Sequence, residues 1–119
     1  MPLANFPDYP PCFSRLLKDI LKKFPKSESS VLGLLATLSR NPMQGDRMPG
    51  FAPMHLRKLR AGLPEYRIGK SGGLRVIYML HESRPEPLFV TVYYKGDYSS
   101  EHDVVALVKS NLRAILASI

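Results

Sequence analysis

A chain of 119 residues has room for one domain with a substantial core, spanning residues 1–119, and no room for two. Its composition, 45% hydrophobic and 23% charged, argues against a disordered chain, and no apolar run approaches the roughly 18–20 residues that a membrane span needs. Seventeen Lys and Arg against ten Asp and Glu leave a net charge of +7, which favours a polyanionic partner, nucleic acid or an acidic protein.

The opening "MPLANFPDYPP" has neither a basic n-region nor an apolar h-region, so it does not read as a signal peptide. Within it "LANFPDY" supplies at most a short edge strand. Cys12, the single cysteine, has no partner for an internal disulfide, and the expectation is a reduced, cytoplasmic protein. From Phe13 onward Leu16, Leu17, Ile20, Leu21 and Phe24 repeat at helical spacing, with Lys18, Lys22 and Lys23 on the other faces and Pro25 as the stop. A second stripe, Val31, Leu34, Leu35 and Leu38, predicts a second helix closed by Asn41-Pro42. The Pro-, Gly- and Met-rich residues 42–54 read as an irregular connection.

Strands follow. "MHLRKLRA" alternates, with Leu56, Lys58 and Arg60 on one face and Arg57 and Leu59 on the other. "EYRIG" extends or re-enters the same sheet after an interruption. "LRVIYML" and "LFVTVYY" are β-branched and aromatic runs of the kind that fill the middle of a sheet, joined by "HESRPEP" as a hairpin loop. Ser99-Ser100 followed by Asp103 predicts the start of a last helix, with Val104, Val108, Leu112, Ile115 and Ile119 as its stripe. The expected fold is therefore α+β: an N-terminal helical hairpin, an antiparallel sheet of three to four strands and a C-terminal helix.

Several chemistries find no support. Gly69-Lys70-Ser71 resembles the end of a phosphate-binding loop, but the position five residues earlier is Pro64 rather than glycine, and a strand follows where a helix is needed. His55, His81 and His102 are isolated, so no metal site is expected and no cofactor is implied. What remains is a basic sheet. Between Arg57 and Arg75 stand Arg57, Lys58, Arg60, Arg67, Lys70 and Arg75, against one acid, Glu65. Lys58 and Arg60 share a strand face to which Arg75 can project, and Lys70 lies on the adjoining turn. Cations converging on a concave surface hold phosphate, arginine by a fork and lysine as a point charge. Tyr78, Tyr93, Tyr94 and Tyr98 fall in or near the same sheet, where aromatic rings can stack on unpaired bases. Such a site can also cut RNA, because the 2′-OH is an internal nucleophile needing only charge stabilisation, a proton acceptor and a proton donor. A tyrosine or lysine whose pKa is lowered by neighbouring cations would supply the proton steps.

"LRKLRAGLPEYRIGKSGGLRVIYML" followed by "LFVTVYYKGDYSSEHDV" resembles the RelE/ParE superfamily of bacterial type II toxins, near its RelE-like and HigB-like branches. The likeness spans roughly residues 10–110, and the Lys-Ser-Gly-Gly-x-Arg-Val-Ile run is its most specific part. It implies a ribosome-dependent mRNA endonuclease that acts in the A site of the 70S ribosome and is held inactive by a cognate antitoxin. Carried across by position, Arg75 matches the strand arginine at the scissile phosphate, Lys58 and Arg60 the basic pair on the preceding strand, and Lys95 with Tyr94 the end of the last strand. These five are the expected catalytic group. Arg57, Arg67, Lys70, Tyr78 and Tyr98 are the expected RNA contacts. Gly96 stands where RelE toxins carry a second arginine, and their C-terminal tyrosine has no match here. The same resemblance leaves two other readings: a ParE-like gyrase poison, and an inactive relic that only binds an antitoxin.

Overall fold

In the computed structural model residues 9–117 are described. Helix α1 spans Pro11–Lys23, with Pro11 at a first-turn position where its missing N–H leaves no bond unmade. Pro25 cannot continue the helix; the Phe24 N–H still reaches Ile20 O, and a single 3₁₀ turn, Pro25–Ser27, leads directly into α2, Glu28–Arg40. That continuity is why α2 starts three residues before its first apolar position, Val31.

The connection expected to be irregular holds a strand. β1, Asp46–Met48, pairs antiparallel with β2, His55–Ala61. Three residues are too few to show alternation, and β2 supplies the hydrogen-bond partners that local propensity does not. The "EYRIG" segment adds nothing to the sheet. Pro64–Tyr66 is a 3₁₀ turn, Arg67 is left-handed at φ 57°, and only an isolated bridge joins Leu63 to Ile68. β3, Leu74–His81, and β4, Arg84–Tyr94, complete a four-stranded antiparallel sheet in the order β1-β2-β3-β4. The hairpin loop is also shorter than expected, because β4 starts at Arg84 and takes in Pro85 and Pro87. β4 is an edge of the sheet, the position where a strand tolerates proline.

Helix α3, Glu101–Ala117, opens as its sequence predicts: the Ser100 hydroxyl accepts the Asp103 N–H at 3.3 Å, and the Ser99 hydroxyl donates to the Asp103 carboxylate at 3.4 Å. The edge strand expected in "LANFPDY" falls on residues 3–9, of which only Tyr9 is described, and Ile119 lies outside the described residues.

The sheet has a core on each face. Phe13, Leu17, Leu21, Val31, Leu35 and Leu38 of α1 and α2 cover Leu74, Val76, Tyr78, Phe89 and Val92. Val104, Val108, Leu112 and Ile115 of α3 cover Leu56, Ile77, Met79 and Val90 on the opposite face. Each buried Leu, Val or Phe contributes about 1.5–3 kcal/mol by leaving water. Asn111 fixes the seating of α3, its amide donating to Val90 O at 2.9 Å and Thr91 Oγ1 at 3.1 Å. The fold is thus the expected α+β arrangement of two helices, an antiparallel sheet and a C-terminal helix. No described helix is long and apolar enough to cross a membrane.

Candidate nucleic-acid interface

The alternation of β2 sends Leu56 into the α3-side core and Leu59 into the α1/α2-side core, so Lys58 and Arg60 share the α3 face with Leu56. Register places Arg60 opposite Arg75, and Arg75 opposite Tyr93, in one row across three strands. Past the end of α3's packing, that row opens into a cleft of about 210 Å³ lined by Lys58, Arg60, Arg75, Tyr93, Lys95 and Tyr98 with Ser99, Ser100 and Glu101. Four of these residues are cationic, and Glu101 is the one carboxylate among them. A second cleft of about 340 Å³ shares Lys58, Arg60 and Glu101 and continues past Arg47 and Phe51.

Arg75 is only 5% exposed. Its Nη1 donates to Lys70 O at 2.7 Å and Leu74 O at 3.3 Å, and its Nη2 donates to Ser71 O at 3.0 Å. An arginine behind a Gly-Gly turn therefore acts locally as well, tying carbonyls of the turn to the start of the strand. Burial, then the neighbouring Arg60, holds its pKa below the ordinary arginine value. Gly73 is required by the same turn, because a Cβ there would lie 2.2 Å from Ala61 O, whereas one at Gly72 would meet nothing closer than Ile68 Cγ2 at 3.9 Å.

Neither Tyr93 nor Tyr98, the tyrosines of the cleft, has the lowered pKa that a proton acceptor needs. Burial pushes Tyr93 up to about 12, with the Glu101 charge adding to it and Arg75 only partly opposing it. Tyr98, packed edge-on to Tyr93 with ring centroids 5.1 Å apart, is also raised, by burial and then by Asp97 and Asp103. Both hydroxyls therefore hold their protons at neutral pH.

Five of the ten predicted residues stand elsewhere. Tyr78 is fully buried on the α1/α2 face, its hydroxyl donating to Pro42 O at 2.7 Å and accepting the Gly45 N–H at 2.9 Å. Arg57, its cross-strand neighbour, reaches back to Gly45 O at 2.7 Å and Met43 O at 3.3 Å. Tyr94 packs on Phe24 on that same face, under the Lys23 ammonium, 4.8 Å from its ring. The period-two alternation of β4 makes Tyr93, not Tyr94, the residue of the cleft. Arg67 closes the Pro64–Tyr66 turn in the left-handed region, exposed and away from the cleft. Lys70 is exposed on its turn; its carbonyl serves Arg75, while its side chain is not part of the cleft wall. Lys58, Arg60, Arg75, Lys95 and Tyr98 do come together.

Glu101 is a cleft residue that sequence reasoning passed over, and Tyr93, one of the sheet tyrosines able to stack on a base, was not among the expected catalytic or RNA-contact residues. Pairing Arg75 across to the next strand would have found Tyr93. Glu101 has no such signal, because only the docking of α3 across the sheet brings it to Lys58, Oε1 to Nζ 3.5 Å. Gly96 lies outside the cleft wall, and a Cβ there would sit 2.6 Å from Tyr94 Cε2, so an arginine at this position would require the ring to move. His102 is exposed to solvent, its side chain 92% accessible. Among the described residues no group of three or more His, Cys, Asp or Glu is placed to hold a metal ion. No protein-family model, curated protein or solved structure gives a significant match to this chain.

Proposed function

We propose that the chain is the toxin of a bacterial type II toxin–antitoxin pair of the RelE/ParE kind, a cytoplasmic endoribonuclease that cuts mRNA in the ribosomal A site without a metal or cofactor. One observation carries this reading: Arg60 directly opposite Arg75, with Lys58 and Lys95 on the same cleft and a single carboxylate among them. Like charges opposed across a sheet are destabilising, and a phosphate between them turns that cost into affinity. Exposed Arg60 and Lys95 and half-buried Lys58 contact the phosphate, while Arg75 supplies fixed positive charge from beneath. Charge held in place before the reaction needs no reorganisation as the phosphorane forms. Half-buried Tyr98, on the wall of the cleft, offers its ring to a base. The partner that silences the protein is an antitoxin whose acidic or amphipathic segment covers this basic face.

The test is controlled expression in bacteria of the wild type, Arg60→Glu and Arg75→Ala, followed by growth, pulse-labelled protein synthesis and mRNA 5′ ends. The nuclease reading expects translation to stop within minutes with new cuts inside translated codons, and expects Arg60→Glu, whose exposed site leaves the fold intact, to abolish both. Growth arrest with DNA damage and intact mRNA replaces it with gyrase poisoning. A soluble, folded wild type without effect replaces it with antitoxin binding alone.

A further inference from the structure

Glu101 is out of place in an anion site. It is the only acid among the residues lining the cationic cleft, it lines the adjoining cleft as well, and its charge repels the phosphate that the cations attract. Its hold on Lys58 is loose, at 3.5 Å, with the Glu101 side chain 67% exposed against 19% for the lysine. The carboxylate is also close enough to Tyr93 to oppose ionisation of that hydroxyl. It therefore sits near both Lys58 and Tyr93, on the first residue of α3.

We infer that Glu101 is the proton acceptor for the attacking 2′-OH, an assignment that rests on the nuclease reading. The neighbouring cleft groups are ill suited to it: the arginines carry no free lone pair, the two tyrosines keep their protons, and Lys58 stands as the cation of an ion pair with Glu101 itself. In the step, the O2′–H bond breaks and its proton passes to a Glu101 oxygen as the O2′–P bond forms. The P–O5′ bond then breaks, and the departing O5′ takes a proton from the Lys95 ammonium. The products are a 2′,3′-cyclic phosphate and a 5′-OH; Glu101 returns its proton to solvent and Lys95 regains one. Lys58, freed from Glu101 when RNA enters, turns to the phosphate, so the ion pair of the free protein gives way to the ion pair of the complex.

The experiment measures single-turnover cleavage of a labelled mRNA on programmed ribosomes by the wild type, Glu101→Gln and Glu101→Asp. In parallel it measures the affinity of each for the same complex carrying a 2′-deoxy substitution at the cut site, which binds but has no nucleophile. Expected is a loss of about 10²–10⁴-fold in rate for Glu101→Gln, partial recovery in Glu101→Asp, and binding equal to or tighter than wild type. Cleavage by Glu101→Gln within threefold of wild type overturns the assignment and leaves the nuclease reading standing. A rate loss matched by an equal loss of binding also overturns it, making Glu101 a contact rather than a base. A wild type that binds the ribosome without cutting overturns both readings together.

Discussion

On the α1/α2 face of the sheet β3 presents Leu74, Val76 and Tyr78, and the Tyr78 hydroxyl is bonded on both sides, to Pro42 and Gly45. On the α3 face the same strand presents Arg75, Ile77 and Met79, and its polar end meets Arg60 across the ladder. One strand thus carries a closed polar network on one side and an excess of charge on the other. Buried polar groups that satisfy one another stabilise a fold; cations set against cations do not, and they persist where a ligand of opposite charge completes them. The difference separates the tyrosine that holds the protein together from the arginine pair that lines the cleft, Arg75 buried beneath and Arg60 exposed.

Substitutions on the two faces should therefore fail in different assays. Tyr78→Ala is expected to cost about 3–5 kcal/mol in chemical denaturation, by emptying a core site and orphaning the Gly45 N–H. Loss of RNA binding without loss of stability in that variant would break the comparison. Next is the turn that supports the cationic row: Gly73→Ala forces backbone apart at Ala61 O and is expected to cost about 1–3 kcal/mol, whereas Gly72→Ala should fall within about 0.5 kcal/mol of wild type. Equal midpoints for the two variants would show that the turn is not held as tightly as its geometry implies.

On the outer face, Arg60→Ala should leave the denaturation midpoint unchanged and weaken single-stranded RNA binding about tenfold, or about 1.4 kcal/mol. The dependence of log affinity on log salt should become shallower by about 0.7 for the lost phosphate contact. An unchanged salt slope would place the RNA elsewhere. The smallest effect concerns Tyr93. Its folded-state pKa of about 12 lies above the ordinary 10.0, so the native protein keeps a proton that the unfolded chain releases. The resulting stability is complete below pH 10 and is lost as pH rises through 12. Tyr93→Phe should flatten that alkaline limb, and an unaltered limb would assign it to another group.

How much of this was legible in one dimension follows from how local each interaction is. Both apolar stripes of α1 and α2, the Ser100–Asp103 start of α3 and the two long strands are visible because a helix or strand repeats over several residues. The shared face of Lys58 and Arg60 is visible for the same reason, since residues two apart on a strand point the same way. β1 was missed because three residues show no period, and "EYRIG" misled because β-prone side chains occupy a 3₁₀ turn closed by a left-handed residue.

Composition and periodicity by themselves determined that this is a basic α+β chain with its cations concentrated before and within the central strands. Tertiary structure alone decided which of those cations meet. The antiparallel register set Arg60 and Tyr93 against Arg75, the alternation of β4 turned Tyr94 to the far core, and the packing of α3 carried Glu101 to Lys58 from 43 residues along the chain. Register and helix docking are fixed by burial across the whole sheet, and a free energy shared among so many distant side chains leaves no mark on any short stretch of sequence.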